Sequence, residues 1–138
     1  MDTFEILSQL CSAAGVSGAE GSAAEAAAKL LEEYGEVTLD NALGSVICKV
    51  GSWEDGKPVM LLDAHIDEIG MIVTYITEDG FLKISGCGGL DTRLLLAQQV
   101  TVYGKEKLTG IVTSTPPHLE KDSSDAPELD SVFIDIGF

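Results

Sequence analysis

Val59-Met60-Leu61-Leu62 is an unbroken apolar run that offers no polar side chain to solvent. A strand with one wet face alternates apolar and polar residues, so a run without alternation predicts a strand over 59–64 covered on both faces by helices. Two helices precede it. Over residues 2–14, Phe4, Leu7, Leu10, Cys11 and Ala14 recur at helical spacing. Asp2 or Thr3 can cap the start, and Glu5 stands three after Asp2. Gly15-Val16-Ser17-Gly18 reads as a loop. A second helix follows, with Ser22 and Glu25 in a capping-box pattern, an apolar stripe of Ala23, Ala26, Ala27, Leu30, Leu31 and Tyr34, and Gly35 at the C-cap. Its many alanines suit close packing against a sheet. The fold class is therefore α/β.

Beyond Gly35 the period changes. Residues 36–39 and 45–50 read as strands, with turn signals at Asp40-Asn41 and Glu54-Asp55-Gly56-Lys57-Pro58. From Ile69 onward no comparable helix appears. Residues 71–77 and 81–85 bracket Glu78-Asp79-Gly80, a strong hairpin signal. Gly86, Gly88 and Gly89 make a corner, and residues 100–103 and 108–113 form another β pair. Residues 114–130 read as an exposed loop with Pro116-Pro117 and Pro127, and 131–136 as a last strand. The shift near residue 69 gives two domains: α/β over 1–68 and all-β over 69–138.

Charge removes several classes of partner. The chain carries −15 at neutral pH, with ten acids against three bases in residues 1–60 and thirteen against five in residues 61–138. Such a surface repels phosphate, which argues against nucleic acid and anionic membrane. No apolar run exceeds four residues, far short of the roughly 20 that span a bilayer, and the acidic start lacks the features of a secretory signal. The expectation is a soluble, cytoplasmic protein. Cys11, Cys48 and Cys87 are odd in number and widely spaced, which suits three small core residues better than a disulfide framework. Glycines 86, 88 and 89 do not lead from a strand into a helix, so they bind no phosphate. The serines lack a nucleophile elbow.

The chemistry concentrates in Asp63-Ala64-His65-Ile66-Asp67-Glu68, where the apolar run ends abruptly in one histidine and three carboxylates. In open α/β sheets ligands gather beyond the carboxyl ends of strands. In extended geometry His65 and Asp67 point to one side while Ile66 faces the other. A metal-bound imidazole donates its second N–H to a carboxylate, so His65 as ligand with Asp67 as its orienting partner is physically sensible. A solvated strand end with a local His–acid pair is the alternative. His118 reads as a turn or interface histidine, and Asp91 with Arg93 as a turn-stabilising pair.

Asp63-Ala64-His65-Ile66-Asp67-Glu68-Ile69-Gly70, followed in order by Gly80-Phe81-Leu82, Gly88-Gly89-Leu90-Asp91-Thr92-Arg93, Gly110-Ile111, Pro116-Pro117-His118 and Phe133-Ile134-Asp135-Ile136-Gly137, resembles the glutamyl, or tetrahedral (TET-type), aminopeptidases. These are cytoplasmic metallopeptidases formerly classed as endoglucanases. Val16-Ser17-Gly18-Ala19-Glu20 and Leu43-Gly44 fit the same pattern, although the family usually has Asn where this chain has Ser45.

The resemblance implies an α/β catalytic domain interrupted after the His-x-Asp-Glu block by a β-rich, PDZ-like insertion used in assembly. It also implies homo-oligomers, peptide substrates trimmed from the N-terminus, and two divalent ions, zinc or cobalt. Carried over by residue, His65 is a metal ligand and Asp67 the catalytic-site acid that orients it. The family's remaining ligands and its general base belong to sequence beyond this block, so the chain looks like the N-terminal portion of such an enzyme. Catalytic zinc takes about three protein ligands. The isolated chain is therefore expected to bind metal weakly or not at all and to hydrolyse peptides negligibly. A non-catalytic oligomerisation module derived from the family is the alternative, and a small independent metal-binding protein a third reading. A strand at 59–64 without neighbours would expose sheet edge and apolar surface, and copies would associate there.

Overall fold

The structure, a computed structural model, describes residues 2–115 and 126–137. It divides into two compact units, Met1–Glu68 and Ile69–Phe138.

The first unit begins with α1 (Thr3–Ser12), capped as the spacing predicts. Asp2 Oδ1 accepts the Glu5 N–H at 2.8 Å, and Glu5 Oε2 accepts the Asp2 N–H at 3.2 Å, so two otherwise orphaned donors are satisfied reciprocally. The apolar stripe of α1 stays largely in solvent, with Phe4 and Leu7 exposed. Helix α2 (Gly21–Leu31) starts earlier than its capping-box pattern predicts. Glu20 is the N-cap and makes no side-chain cap bond, so Ser22 lies inside the first turn. Ala23, Ala24, Ala28 and Leu30 are the buried residues. The face turned inward is thus rotated from the predicted stripe, with Ala26, Ala27 and Leu31 only half-buried. That layer is an antiparallel hairpin of β1 (Glu36–Leu39) and β2 (Val46–Lys49), with Val37 opposite Cys48 and Leu39 opposite Val46.

Gly35 joins α2 to β1 by passing close over β2. A Cβ there would press into the Lys49 carbonyl oxygen, with the carbonyl carbon at 2.8 Å and Val50 Cα at 3.2 Å. These are backbone atoms that cannot rotate away. Gly35→Ala is expected to cost about 1–3 kcal/mol, the range of overpacking. A lowered melting transition of the first unit, followed through Trp53 fluorescence, checks it.

The strand predicted at 59–64 does not form: none of these residues joins a sheet among the described residues. Val59, Met60, Leu61 and Leu62 are 62, 84, 86 and 86% exposed. The physical reason is pairing. A buried strand needs a hydrogen-bonded neighbour on each side, and in this unit β1 and β2 pair only with each other.

The second unit is a five-stranded antiparallel sheet in the order β3-β4-β7-β6-β5. Its strands are β3 (Gly70–Ile76), β4 (Leu82–Cys87), β5 (Gln99–Tyr103), β6 (Lys107–Ser114) and β7 (Val132–Asp135). Each matches a sequence expectation to within a residue or two. Leu82, Ile84, Val112, Val132 and Ile134 form the core, with Met71, Leu95, Val100, Val102, Leu129 and Ile136 packed against it. Alternation along β4 and β7 puts these side chains on one face. The glycine corner leads into a short 3-10 turn, Thr92–Leu94. There Arg93 Nε and Nη2 donate to Asp91 Oδ1 and Oδ2 at 2.8 and 2.6 Å, and Asp91 Oδ1 also accepts the Arg93 N–H, so the pair does stabilise a turn. Pro116, Pro117 and His118 lie outside the described residues. Of the cysteines expected in the core, Cys11 is exposed and Cys48 and Cys87 are half-buried; all three are free thiols.

No helix among the described residues is long and apolar enough to cross a membrane.

Candidate functional site

His65 and Asp67 come together within the first unit. His65 Nδ1 lies 3.1 Å from Asp67 Oδ1 and 3.2 Å from the Asp67 carbonyl oxygen. Both partners are acceptors, so Nδ1 must carry the proton, and in the neutral ring Nε2 keeps its lone pair. The imidazole side chain is 87% exposed, which leaves that nitrogen open to a ligand.

The predicted support for this pair was a strand tip. The structure supplies a different one, the loop between α1 and α2. Val16 and Glu68 form a parallel bridge. The Glu68 N–H donates to the Gly15 carbonyl at 2.8 Å, and the Gly15 N–H donates to Glu68 Oε1 at 3.0 Å. Ser17 Oγ donates to Asp67 Oδ2 at 2.5 Å. This Ser17 bond is the main reason the Asp67 carboxyl is held below its usual range; the hydrogen bond and positive charge of His65 act in the same direction, and desolvation opposes them. Gly15 is buried, and a Cβ there would meet Ala23 Cβ at 2.8 Å, so only glycine lets the loop lie this close to α2.

Sequence reasoning found His65 and Asp67, read Gly15 only as the end of the first helix, and gave Ser17 no role at the site. The loop signal Gly15-Val16-Ser17-Gly18 marks a turn, and nothing in it says which segment the turn will touch.

A cleft of about 480 Å³ opens beside the pair, lined among others by Glu20, Leu31, Leu62, Asp63, His65 and Asp67. Three of these are carboxylates, so the cleft suits a cationic or metal-bound group. The Glu20 carboxylate accepts the Gly18 N–H at 2.7 Å, and that of Glu68 is taken by Gly15. Among the described residues, no group of three or more His, Cys, Asp or Glu side chains comes together as a metal cage. Within the cleft, His65 Nε2 is thus an open nitrogen donor without a cage of further donors around it among the described residues.

Comparison with known proteins agrees with the resemblance noted from the sequence. A family model described as M42 glutamyl aminopeptidase matches residues 44–138. The putative aminopeptidase FrvX of Escherichia coli is 36% identical over 139 residues, covering 97% of this chain and 38% of that protein. The TET aminopeptidase of the marine sediment archaeon Thaumarchaeota archaeon SCGC AB-539-E09 superposes with a TM-score of 0.86 at 34% identity, covering 97% of this chain and 38% of its own. The TET1 peptidase of Pyrococcus horikoshii, described as assembling into a tetrahedron or a large octahedral shell, superposes with a TM-score of 0.82 at 33% identity over 99% of this chain and 41% of its own. The chain thus spans about two-fifths of the length of the relatives it matches.

Proposed function

The chain belongs to the M42 glutamyl aminopeptidase family, and from that membership we propose that it carries part of a metal-dependent aminopeptidase that removes N-terminal residues from peptides. His65 is a ligand to one divalent ion, and Asp67 is the acid that orients it. The observation that carries this reading is the His65 Nδ1–Asp67 Oδ1 contact at 3.1 Å, which leaves Nε2 free on an exposed ring. Two zinc or cobalt ions would supply Lewis acidity in the complete centre. This chain's own part is to hold one imidazole in its ligating tautomer and to offer an acidic cleft.

Residues 1–68 are part of the α/β catalytic domain. Residues 69–138 are the β-rich, PDZ-like insertion that serves assembly of a cytoplasmic homo-oligomer. The assembled relatives support the last assignment by likeness. A second reading, an assembly module without catalysis, is favoured by the single imidazole donor at the site among the described residues.

Calorimetric titration with zinc, paired with an aminoacyl-anilide assay, tests the proposal. The 138-residue chain is expected to bind zinc weakly, to lose that binding in His65→Ala, and to show negligible turnover. Zinc binding unchanged in His65→Ala would remove the ligand assignment. Turnover that His65→Ala abolishes would make the chain a working catalyst and remove the module reading.

A further inference from the structure

We propose that Ser17 is a positioning residue: its hydroxyl anchors Asp67 Oδ2 at 2.5 Å, so that Oδ1 accepts Nδ1–H of His65 and the imidazole is fixed with Nε2 free. The inference rests on the reading of His65 as a metal ligand and adds a residue to which that reading assigned nothing.

The geometry explains why a second anchor is needed. Asp67 and His65 sit two residues apart on a stretch that joins no sheet among the described residues, and their side chains are 42 and 87% exposed. An exposed carboxylate held only by an exposed imidazole rotates, because water competes for both and ordering two side chains costs entropy. Ser17 removes that freedom by taking the other oxygen, which leaves the carboxylate one orientation. The Ser17 backbone is itself pinned. Gly15 exchanges two hydrogen bonds with Glu68, Val16 bridges to Glu68, and Gly15 is pressed against Ala23. The hydroxyl therefore arrives from a frame registered directly on the residue after Asp67. A ligating histidine gains tautomer and orientation from its carboxylate partner, and here that partner gains its own orientation from Ser17.

The test reads the tautomer directly, in the metal-free chain. Long-range proton–nitrogen spectra of the histidine rings are recorded near pH 8.5, about two units above the ordinary imidazole value, with His65 assigned by its loss in His65→Ala. The parent is expected to show one protonated ring nitrogen, Nδ1, and one unprotonated, Nε2, at well-separated frequencies. Ser17→Val is expected to draw the two frequencies together as both tautomers become populated, while Ser17→Thr, equal in shape but keeping the hydroxyl, restores the separation. Amide spectra of the rest of the unit, unchanged in both, exclude unfolding as the cause.

If Asp67→Asn draws the frequencies together and Ser17→Val does not, the role of Ser17 is overturned and that of Asp67 stands. If neither substitution moves them, the orientation of His65 by the Asp67 carboxylate falls as well, leaving the Asp67 carbonyl at 3.2 Å as the acceptor.

Discussion

Ile134→Ala is expected to destabilise the second unit by about 2–5 kcal/mol, the usual cost of emptying a fully buried aliphatic site. Ile134 is 3% exposed and stands at the middle of the sheet. Its strand β7 is four residues long and pairs on both sides, with Ile134 opposite Leu82 of β4 and Val112 of β6. Removing the side chain therefore strips contacts from two neighbouring core residues at once. A unit of about 70 residues has only a few kcal/mol to lose. At roughly 4–8 °C per kcal/mol, the melting transition should fall by about 8 °C or more. Ile111→Ala on β6 is the control. That residue is 44% exposed and points away from the core, so its loss should cost well under half as much. Urea unfolding of both variants by circular dichroism decides the matter. Equal losses would mean that the five-residue cluster is not the core of this sheet.

The second large effect concerns association. The purified chain is expected to self-associate through residues 59–62, where four large apolar side chains lie in water and the backbone has no sheet partner among the described residues. Covering one such side chain is worth about 1.5–3 kcal/mol, and an unpaired extended segment offers hydrogen bonds to another copy as well. The net charge of −15 opposes the approach. Screening weakens that repulsion while leaving apolar contact intact, so association should strengthen as salt rises. Met60→Lys with Leu62→Lys places charge along the segment and should weaken self-association at least tenfold, about 1.4 kcal/mol or more. Sedimentation velocity across a concentration series at low and high salt measures both effects. A species of 14.5 kDa at every concentration and salt would remove this segment as an association site.

These two expectations mark where local reading succeeds and where it stops. Short apolar stretches around 82–84, 100–102 and 132–134, bounded by turn signals, are enough to place strands, and Leu82, Ile84, Val132 and Ile134 from two of them enter the sheet core. The Asp2–Glu5 spacing is enough to place the start of α1, because a capping box closes within one turn. The His65–Asp67 pair was legible for the same reason: two residues apart in extended chain lie on one side. Leu61 and Leu62 show the failure. Their pattern matches that of a buried strand, yet burial depends on partners that periodicity does not name, and both residues face solvent.

The amino-acid sequence by itself determined the local states of this protein: which stretches are extended, which are helical, where turns fall, and which short-range pair brings an imidazole against a carboxylate. Only the tertiary structure decided that β7 slots between β4 and β6, that residues 59–64 stand outside any sheet, and that Ser17 meets Asp67 from fifty residues away. The physical reason is shared: backbone and side-chain polar groups pair with whatever lies beside them, and which distant segment lies there is settled by long-range chain closure and not by the local residues.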